Sequence, residues 1–163
     1  MGLGNQQERS TELAFVAGLI VGEGCFSICV RSPVRTTRWS IIPIFSMSMR
    51  DHATMHYVAE ILRDHGLPFH MSLKKNGTVE ITAHGIKRTK RYTDTFIPYL
   101  TGHKKACARV VAEYIDSRLS KSYKSPPSSE EIGLIEQLRS MNGLPGKRVN
   151  SLDFLRDLTP GAA

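Results

Sequence analysis

The sequence has few cysteines, and their number is odd. Cys25, Cys29 and Cys107 show no C-x-x-C spacing, which argues against a zinc site and against a disulfide scaffold. The chain also lacks a long hydrophobic run, because its apolar N-terminal stretch covers about ten residues and a membrane span needs about twenty. No small-residue cleavage pattern follows that stretch, as a signal peptide would require. We therefore expect an intracellular protein with no membrane segment.

Acidic residues are also fewer than basic residues. Asp and Glu number 15 against 22 Lys and Arg, giving a formal net charge of +7 and a pI of about 9.5. Such a balance favours an anionic partner, of which nucleic acid is the first candidate. The 163 residues and the apolar fraction of 40% suit one soluble domain. We expect a core over residues 8–120, a Ser-, Pro- and Lys-rich surface linker over 120–129, and a helical C-terminal annex over 130–160.

The most informative segment is residues 16–24, V-A-G-L-I-V-G-E-G. Ala14, Gly18 and Gly22 recur every four residues, so they share a helix face without bulk that another helix can approach closely. A single carboxylate, Glu23, stands between two glycines where this helix pattern ends. The alternative is an ordinary buried helix with a glycine-rich C-cap and a solvated Glu23.

The rest of the pattern alternates strands and helices. Period-two alternation predicts strands over residues 25–31 and 38–49, and Pro43 suggests that the second has an edge or bulged position. Asp51 can cap a helix that runs to His65, and a hairpin follows around an Asn76-Gly77 turn. Further helices are predicted over residues 93–100, 102–119, 130–141 and 152–158. The order of elements indicates an α+β fold with an antiparallel sheet.

One face of this sheet is polar and basic. Such a face can lie along a DNA groove, where polar side chains reach base edges and Arg or Lys contacts phosphates. The alternative is a solvated face with no ligand. The candidate DNA-contacting residues are Ser27, Cys29, Arg31, Arg35, Arg38, Ser40, Ile42, Ser46, His70, Ser72, Lys74, Lys75, Glu80, Thr82 and His84.

Residues 16–24 resemble the signature motif of the LAGLIDADG homing endonucleases, with Val16 in place of the first Leu. The resemblance implies an αββαββα core with a DNA-reading sheet. No second motif is present, because the similar segment at residues 133–139 lacks the small residue and the second glycine. In the family, single-motif chains form homodimers through the motif helices. The residues implied for that interface are Ala14, Ala17, Gly18, Leu19 and Gly22.

The resemblance also implies the reaction, which is metal-dependent cleavage of double-stranded DNA at a long, near-palindromic site during intron mobility. Glu23 stands where the family carries its metal-binding acid, and the Gly22 carbonyl is a second candidate ligand. Hard oxygen ligands suit Mg²⁺, or another divalent cation such as Mn²⁺. Each copy of the chain would supply one carboxylate.

Helper residues at the site are less closely matched to the family. Met49 stands where a water-organising Gln is common, so Arg50, or Ser48, is the candidate substitute. The lysine that faces the scissile phosphate is expected at Lys104, with His103 and Lys105 in the same stretch; the alternative for this cluster is a solvated helix N-terminus.

Two other functions fit the same residues. A protein of this fold can bind nucleic acid without cutting it, as an RNA maturase or a transcriptional regulator. The chain could also be a helix-packing interaction domain, in which case nucleic-acid binding would be weak, uniform across sequences and easily abolished by salt.

Overall fold

A computed structural model describes residues 3–31, 40–122 and 125–143 of the chain. Arg35 and Arg38 of the predicted DNA-contacting set, and the predicted helix at 152–158, lie outside these residues. The described elements are α1 (Leu3–Glu23), β1 (Gly24–Arg31), β2 (Ser40–Met49), α2 (His52–Asp64), β3 (His70–Leu73), β4 (Val79–His84), α3 (Ile86–Phe96), α4 (Gly102–Leu119) and α5 (Ser129–Met141). The predicted αββαββα order and the α+β class are confirmed.

The four strands form one antiparallel sheet in the order β1-β2-β4-β3. Cys25 pairs with Ser46, Ser46 pairs with Thr82, and Thr82 pairs with His70. These four residues therefore make a row that crosses the whole sheet. Because side chains alternate between the faces of a strand, every second residue on either side of this row lies on the same face.

The opposite face of the sheet carries the hydrophobic core. Phe26 of β1 and Phe45 of β2 have ring centroids 5.2 Å apart, and Phe45 stacks on Tyr92 of α3 at 4.5 Å. Val16 and Ile20 of α1 are fully buried in the same core. Each large apolar side chain removed from water contributes about 1.5–3 kcal/mol. In the described part of the chain, no helix is long and apolar enough to span a membrane.

The predicted Asp51 cap of α2 and the predicted Asn76-Gly77 turn are confirmed. The Asp51 side chain accepts a hydrogen bond from the Thr54 backbone N–H at 3.1 Å and so caps α2. In the hairpin, Gly77 has φ +81°, a conformation that suits glycine. The Asn76 side chain accepts from the Thr78 backbone N–H at 3.1 Å.

Pro43 departs from the expectation of an edge or bulged position, because β2 lies in the interior of the sheet and its pairing with β1 is continuous through Pro43. Pairing between β2 and β4 begins only at Ile44 and His84, so Pro43 lies just beyond the end of β4. Its carbonyl accepts hydrogen bonds from the Gly85 N–H at 2.9 Å and the Thr89 hydroxyl at 3.0 Å. The Gly85 carbonyl, which an N–H at position 43 would otherwise meet, accepts from the Thr89 N–H at 2.9 Å instead, so the proline leaves this carbonyl satisfied.

The helix predicted over residues 93–100 is wrong in its bounds. α3 begins at Ile86 and ends at Phe96. Its buried stripe contains two threonines, which hide the apolar periodicity of the helix. Thr89 is buried because its hydroxyl donates to strand carbonyls. The buried residues of α3 are Thr89, Tyr92, Thr93 and Phe96.

The described residues of the expected surface linker at 120–129 are half-buried or exposed, except at one position. Pro127 is buried, and the Ser128 side chain accepts from the Glu131 N–H to begin α5 with a capping box. Ile135 and Leu138 of α5 join the hydrophobic core. The annex therefore packs onto the rest of the structure through its first described helix.

A buried carboxylate anchors this annex. Glu131 has no exposed surface, and it accepts hydrogen bonds from the Ser117 hydroxyl at 2.9 Å, the Ser128 N–H at 2.9 Å and the Lys121 ammonium at 3.1 Å. Burial raises the pKa of Glu131, but these hydrogen bonds and the charge of Arg118 together hold it below its ordinary value. The ionised form thus stabilises the fold above the unfolded-state pKa, and this contribution is lost as pH falls through the lower folded-state pKa.

We expect Glu131→Ala to lower the free energy of unfolding by about 3–5 kcal/mol, because removing one partner of a buried ion pair leaves the other uncompensated. Urea denaturation at neutral pH measures the effect. Glu130→Ala is the matched control, since Glu130 is exposed in the same turn and surface changes stay within about 0.5 kcal/mol. Equal, small losses in the two variants would contradict the anchoring role of Glu131.

Candidate nucleic-acid interface and acidic centre

The sheet has an open face of polar side chains. These residues are half-buried or exposed, whereas their neighbours along each strand are mostly buried. The predicted residues that lie on this open face are Ser27, Cys29, Arg31, Ser40, Ile42, Ser46, His70, Ser72, Glu80, Thr82 and His84. The pairing adds Cys25, Ile44 and Ser48, which the same period of two could have identified.

Charge is unevenly spread over the open face. Arg31 is exposed at the end of β1, and Lys75 is exposed in the turn between β3 and β4. Lys74 forms an ion pair with Glu80, and their side chains are 48% and 26% exposed. An exposed pair of this kind contributes little to stability. Its effect is instead to reduce the positive charge that Lys74 presents on the open face.

The acidic centre consists of Gly22, Glu23 and Gly24. It lies where helix α1 changes directly into strand β1. α1 ends at Glu23 and β1 begins at Gly24, with no residue between them. Gly22 and Glu23 are exposed, and Gly24 is buried. A Cβ at Gly24 would lie 2.8 Å from the Ile20 carbonyl oxygen and 2.9 Å from the Ile20 Cα. Only glycine fits there, and it places the Glu23 carboxylate at the end of the sheet.

Lys104, near the start of α4, contacts this centre through its side chain. α4 begins at Gly102, and the Lys104 ammonium donates a hydrogen bond to the Gly24 carbonyl. Of the three candidate cations in this stretch, Lys104 is thus the one whose side chain contacts the residue that follows Glu23. Lys105 instead lines a groove between α4 and α5 together with Arg109.

His103 is exposed at the start of α4 and contacts a buried thiol. Its Nε2 lies 3.4 Å from Cys107 Sγ, one helical turn along. Cys107 Sγ lies 3.6 Å from Asn142 Oδ1, and the Asn142 Nδ2 donates to the Phe26 carbonyl at 3.0 Å. Asn142, which the sequence did not single out, therefore connects the end of α5 to β1 beside the acidic centre.

The strand register gives the positions of Arg50 and Ser48. Gly24 pairs with Met47, so both candidates lie at the same end of the sheet as Glu23. Ser48 is exposed on the open face, and Arg50 is exposed directly after β2. Met49 faces the core instead.

The two thiols near this centre are held in their neutral form. Burial raises the pKa of Cys25, against an opposing effect of the Lys104 charge. Burial also raises the pKa of Cys107, with a smaller effect of the same sign from Cys25. Because the thiolate is the reactive form, neither cysteine is suited to act as a nucleophile at neutral pH.

The donor set for a cation is oxygen-based and small. In the described residues, no group of three or more His, Cys, Asp or Glu side chains could hold a metal ion. The exposed Glu23 carboxylate and the backbone carbonyls of the last turn of α1 remain as hard ligands. This set fits Mg²⁺, which binds through one or two carboxylates and keeps water or phosphate in its other positions.

The exposed side of α1 carries a stripe of small residues. Ala14, Gly18 and Gly22 are exposed, and a Cβ at either glycine would meet nothing within 4 Å. Phe15 and Val21 flank the stripe with 42% and 39% of their surfaces exposed. Two other residues of the predicted interface face inward, since Ala17 is buried and Leu19 packs against the core.

This arrangement of helices and strands is the fold of the LAGLIDADG homing endonucleases. The chain is similar to the homing endonuclease I-CvuI in complex with its target and calcium, with a TM-score of 0.73 and 19% identity over 93% of this chain and 97% of that one. It is also similar to the archaeal intron-encoded homing endonuclease I-Vdi141I complexed with DNA, with a TM-score of 0.71 and 12% identity over 91% and 97% of the two chains.

A longer relative of this fold is matched over half its length. The LAGLIDADG meganuclease I-CpaMI bound to uncleaved DNA has a TM-score of 0.68 and 16% identity, over 90% of this chain and 50% of that one. The present chain thus corresponds in size to I-CvuI and to half of I-CpaMI. No protein-family model and no curated protein sequence matches the chain.

We expect Gly24→Ala to cost about 1–3 kcal/mol of stability, because the new methyl group would overlap the backbone of Ile20. Gly133→Ala is the matched control, since this helical glycine has open space around it and alanine favours a helix by up to about 1 kcal/mol. Urea denaturation followed by circular dichroism distinguishes the two. A stability of Gly24→Ala equal to that of the parent protein would contradict the steric account of this junction.

Proposed function

We propose that this protein is a homodimeric homing endonuclease of the LAGLIDADG family, which cuts double-stranded DNA with the help of Mg²⁺. One observation carries the proposal: the Lys104 ammonium donates to the carbonyl of Gly24, the residue that directly follows the exposed Glu23. A cation and an acid 81 positions apart in sequence, at residues 104 and 23, are thereby brought to the end of a polar sheet. That combination suits hydrolysis of a phosphodiester.

The open face of the sheet is suited to DNA. Hydroxyl, imidazole and carboxylate groups on this face match the donors and acceptors of base edges in the major groove. The ten residues of β2 extend about 34 Å, which corresponds to about ten base pairs. The solved structures I-CvuI and I-Vdi141I, which share the fold, are complexes with DNA.

A second copy of the chain completes the proposed enzyme. Among the described residues, one chain offers a single carboxylate at this centre, and cutting two strands calls for two. The small-residue stripe of α1 permits close approach of an identical helix, and the flanking Phe15 and Val21 would be removed from water. Coverage of half of I-CpaMI is consistent with two units of this size making one enzyme.

In the proposed reaction, Glu23 of each copy and the Gly22 carbonyl would hold Mg²⁺. The metal would supply a nucleophilic hydroxide at neutral pH and stabilise charge on the phosphate. Lys104 adds a fixed positive charge beside the scissile phosphate, which favours a developing oxyanion. His103 and Arg50 are the candidate groups for orienting water at the same end of the sheet.

Incubation with a randomised DNA library in Mg²⁺, followed by sequencing of the ends, tests this function. We expect the parent protein to give double-strand ends at one near-palindromic site. Glu23→Gln should abolish these ends and leave DNA affinity within a few-fold, because the carboxylate holds the metal and the open face holds the DNA. Glu60→Gln, at an exposed position of α2, should cut as the parent does.

Each other outcome of this assay favours a different role for the protein or for Glu23. Sequence-selective retention of DNA without ends would replace the nuclease by a non-cleaving binder, such as a maturase or a transcriptional regulator. Weak binding to all sequences would favour an interaction domain. Loss of both binding and cleavage in Glu23→Gln would indicate that Glu23 supports folding instead.

We expect Gly18→Leu to convert the dimer to a monomer, because leucine fits the open space of one chain but fills the proposed helix-helix seam. Sedimentation should show the mass fall from twice 18.2 kDa to 18.2 kDa. Gly133→Leu, on the exposed side of α5, should leave the dimer intact. A parent protein that sediments as a monomer at all concentrations, with or without target DNA, would rule out the proposed interface.

A further inference from the structure

Three polar contacts, made one after another, connect β1, α5 and α4. The Asn142 Nδ2 lies 3.0 Å from the Phe26 carbonyl oxygen, and the Asn142 Oδ1 lies 3.6 Å from Cys107 Sγ. Cys107 Sγ in turn lies 3.4 Å from His103 Nε2. Distances to sulfur are longer than those between nitrogen and oxygen because the sulfur atom is larger. This series of contacts thus ends at the exposed His103 imidazole at the start of α4.

Hydrogen-bonding capacity assigns a direction to each contact. The Phe26 carbonyl can only accept, so the Asn142 amide nitrogen faces it and the amide oxygen faces the thiol. An amide oxygen also can only accept, so the thiol directs its single hydrogen to Asn142. The sulfur then has no hydrogen left for the imidazole. Its contact with His103 is a hydrogen bond only when Nε2 carries the hydrogen and donates it.

We infer that Cys107 and Asn142 are positioning residues, which hold neutral His103 in the tautomer with hydrogen on Nε2 and a free lone pair on Nδ1. The tautomer of His103 is independent of the proposed nuclease function. Only the use of the Nδ1 lone pair as a base rests on that function. His103 is exposed and immediately precedes Lys104, whose ammonium contacts the residue after Glu23. Nδ1 is therefore available to accept a proton from water at this end of the sheet.

The geometry distinguishes this arrangement from a nucleophilic cysteine. Cys107 is fully buried, and burial raises the pKa of its thiol. In a cysteine nucleophile with histidine and asparagine, the third group orients the imidazole. Here Asn142 contacts the sulfur instead. The thiol thus serves as a link between an amide and an imidazole.

Nitrogen NMR of protein labelled with ¹⁵N-histidine tests the inference without DNA or metal. The protein has six histidines, and the signal that disappears in His103→Gln identifies His103. In the neutral form of the imidazole, we expect His103 to carry hydrogen on Nε2 alone. The exposed His56 should show the tautomer mixture of a solvated imidazole and serves as the internal reference.

Two variants of Asn142 separate positioning from folding. Asn142→Leu removes the acceptor of the thiol hydrogen, so the thiol is free to donate to Nε2 and the tautomer should switch to hydrogen on Nδ1. Asn142→Asp keeps an acceptor oxygen and should keep the parent tautomer. Cys107→Ala should bring His103 to the mixture shown by His56. Hydrogen on Nδ1 in the parent protein, or one unchanged tautomer in all three variants, would overturn the inference.

Cleavage kinetics separate this inference from the proposed function. With Mg²⁺ and a cleaved target, Cys107→Ala should lower the single-turnover rate about tenfold, a part of the 10²–10⁴ that a positioned base contributes, with unchanged Kd for DNA. Cys107→Ser, which can both donate and accept, should restore most of the rate. A parent protein that never cuts DNA would refute the nuclease and leave the tautomer result intact, whereas normal cleavage by Cys107→Ala would refute the positioning role alone.

Discussion

The candidate site depends on the junction at which α1 becomes β1 without an intervening residue. The absence of a side chain at Gly24 lets the strand leave the helix against Ile20. This arrangement leaves the Glu23 carboxylate exposed at the helix end, and it presents the carbonyl of the buried Gly24 as an acceptor at the strand start. Lys104 donates a hydrogen bond to the second of these, on the residue that follows Glu23 in the chain. A longer connection would separate the acid from both the sheet and the lysine.

The C-terminal annex contributes to this junction and is more than an appendage. Glu131 anchors the start of α5 to the end of α4 through Ser117 and Lys121. At the other end of α5, Asn142 binds the backbone of β1 and the thiol of α4. α5 is thus held at both of its ends, and the second attachment lies within one helical turn of the candidate catalytic residues of α4.

The features that the sequence predicted are those that depend on neighbouring residues. Period-two alternation placed the open face, and local side-chain hydrogen bonds marked the Asp51 cap and the Asn76-Gly77 turn. What the sequence could not predict depends on distant partners. Thr89 is buried in α3 because strand carbonyls accept its hydroxyl, and this moved the predicted helix. From sequence alone Glu131 resembles a surface acid, because its partners Arg118 of α4 and Lys121 beyond that helix are distant along the chain.

The net charge of the protein suits phosphate binding, whereas the chemistry of its open face suits contact with base edges. The chain is strongly basic as a whole, yet the described cations of the open face are Arg31 and a Lys74 that is paired with Glu80. Hydroxyl and imidazole groups of Ser46, Thr82 and His70 lie in the row of paired residues that crosses the sheet. For a DNA ligand, such a surface is better suited to discriminate base edges than to hold phosphates. Affinity for the backbone would then come from cations around the sheet, and selectivity from the sheet itself.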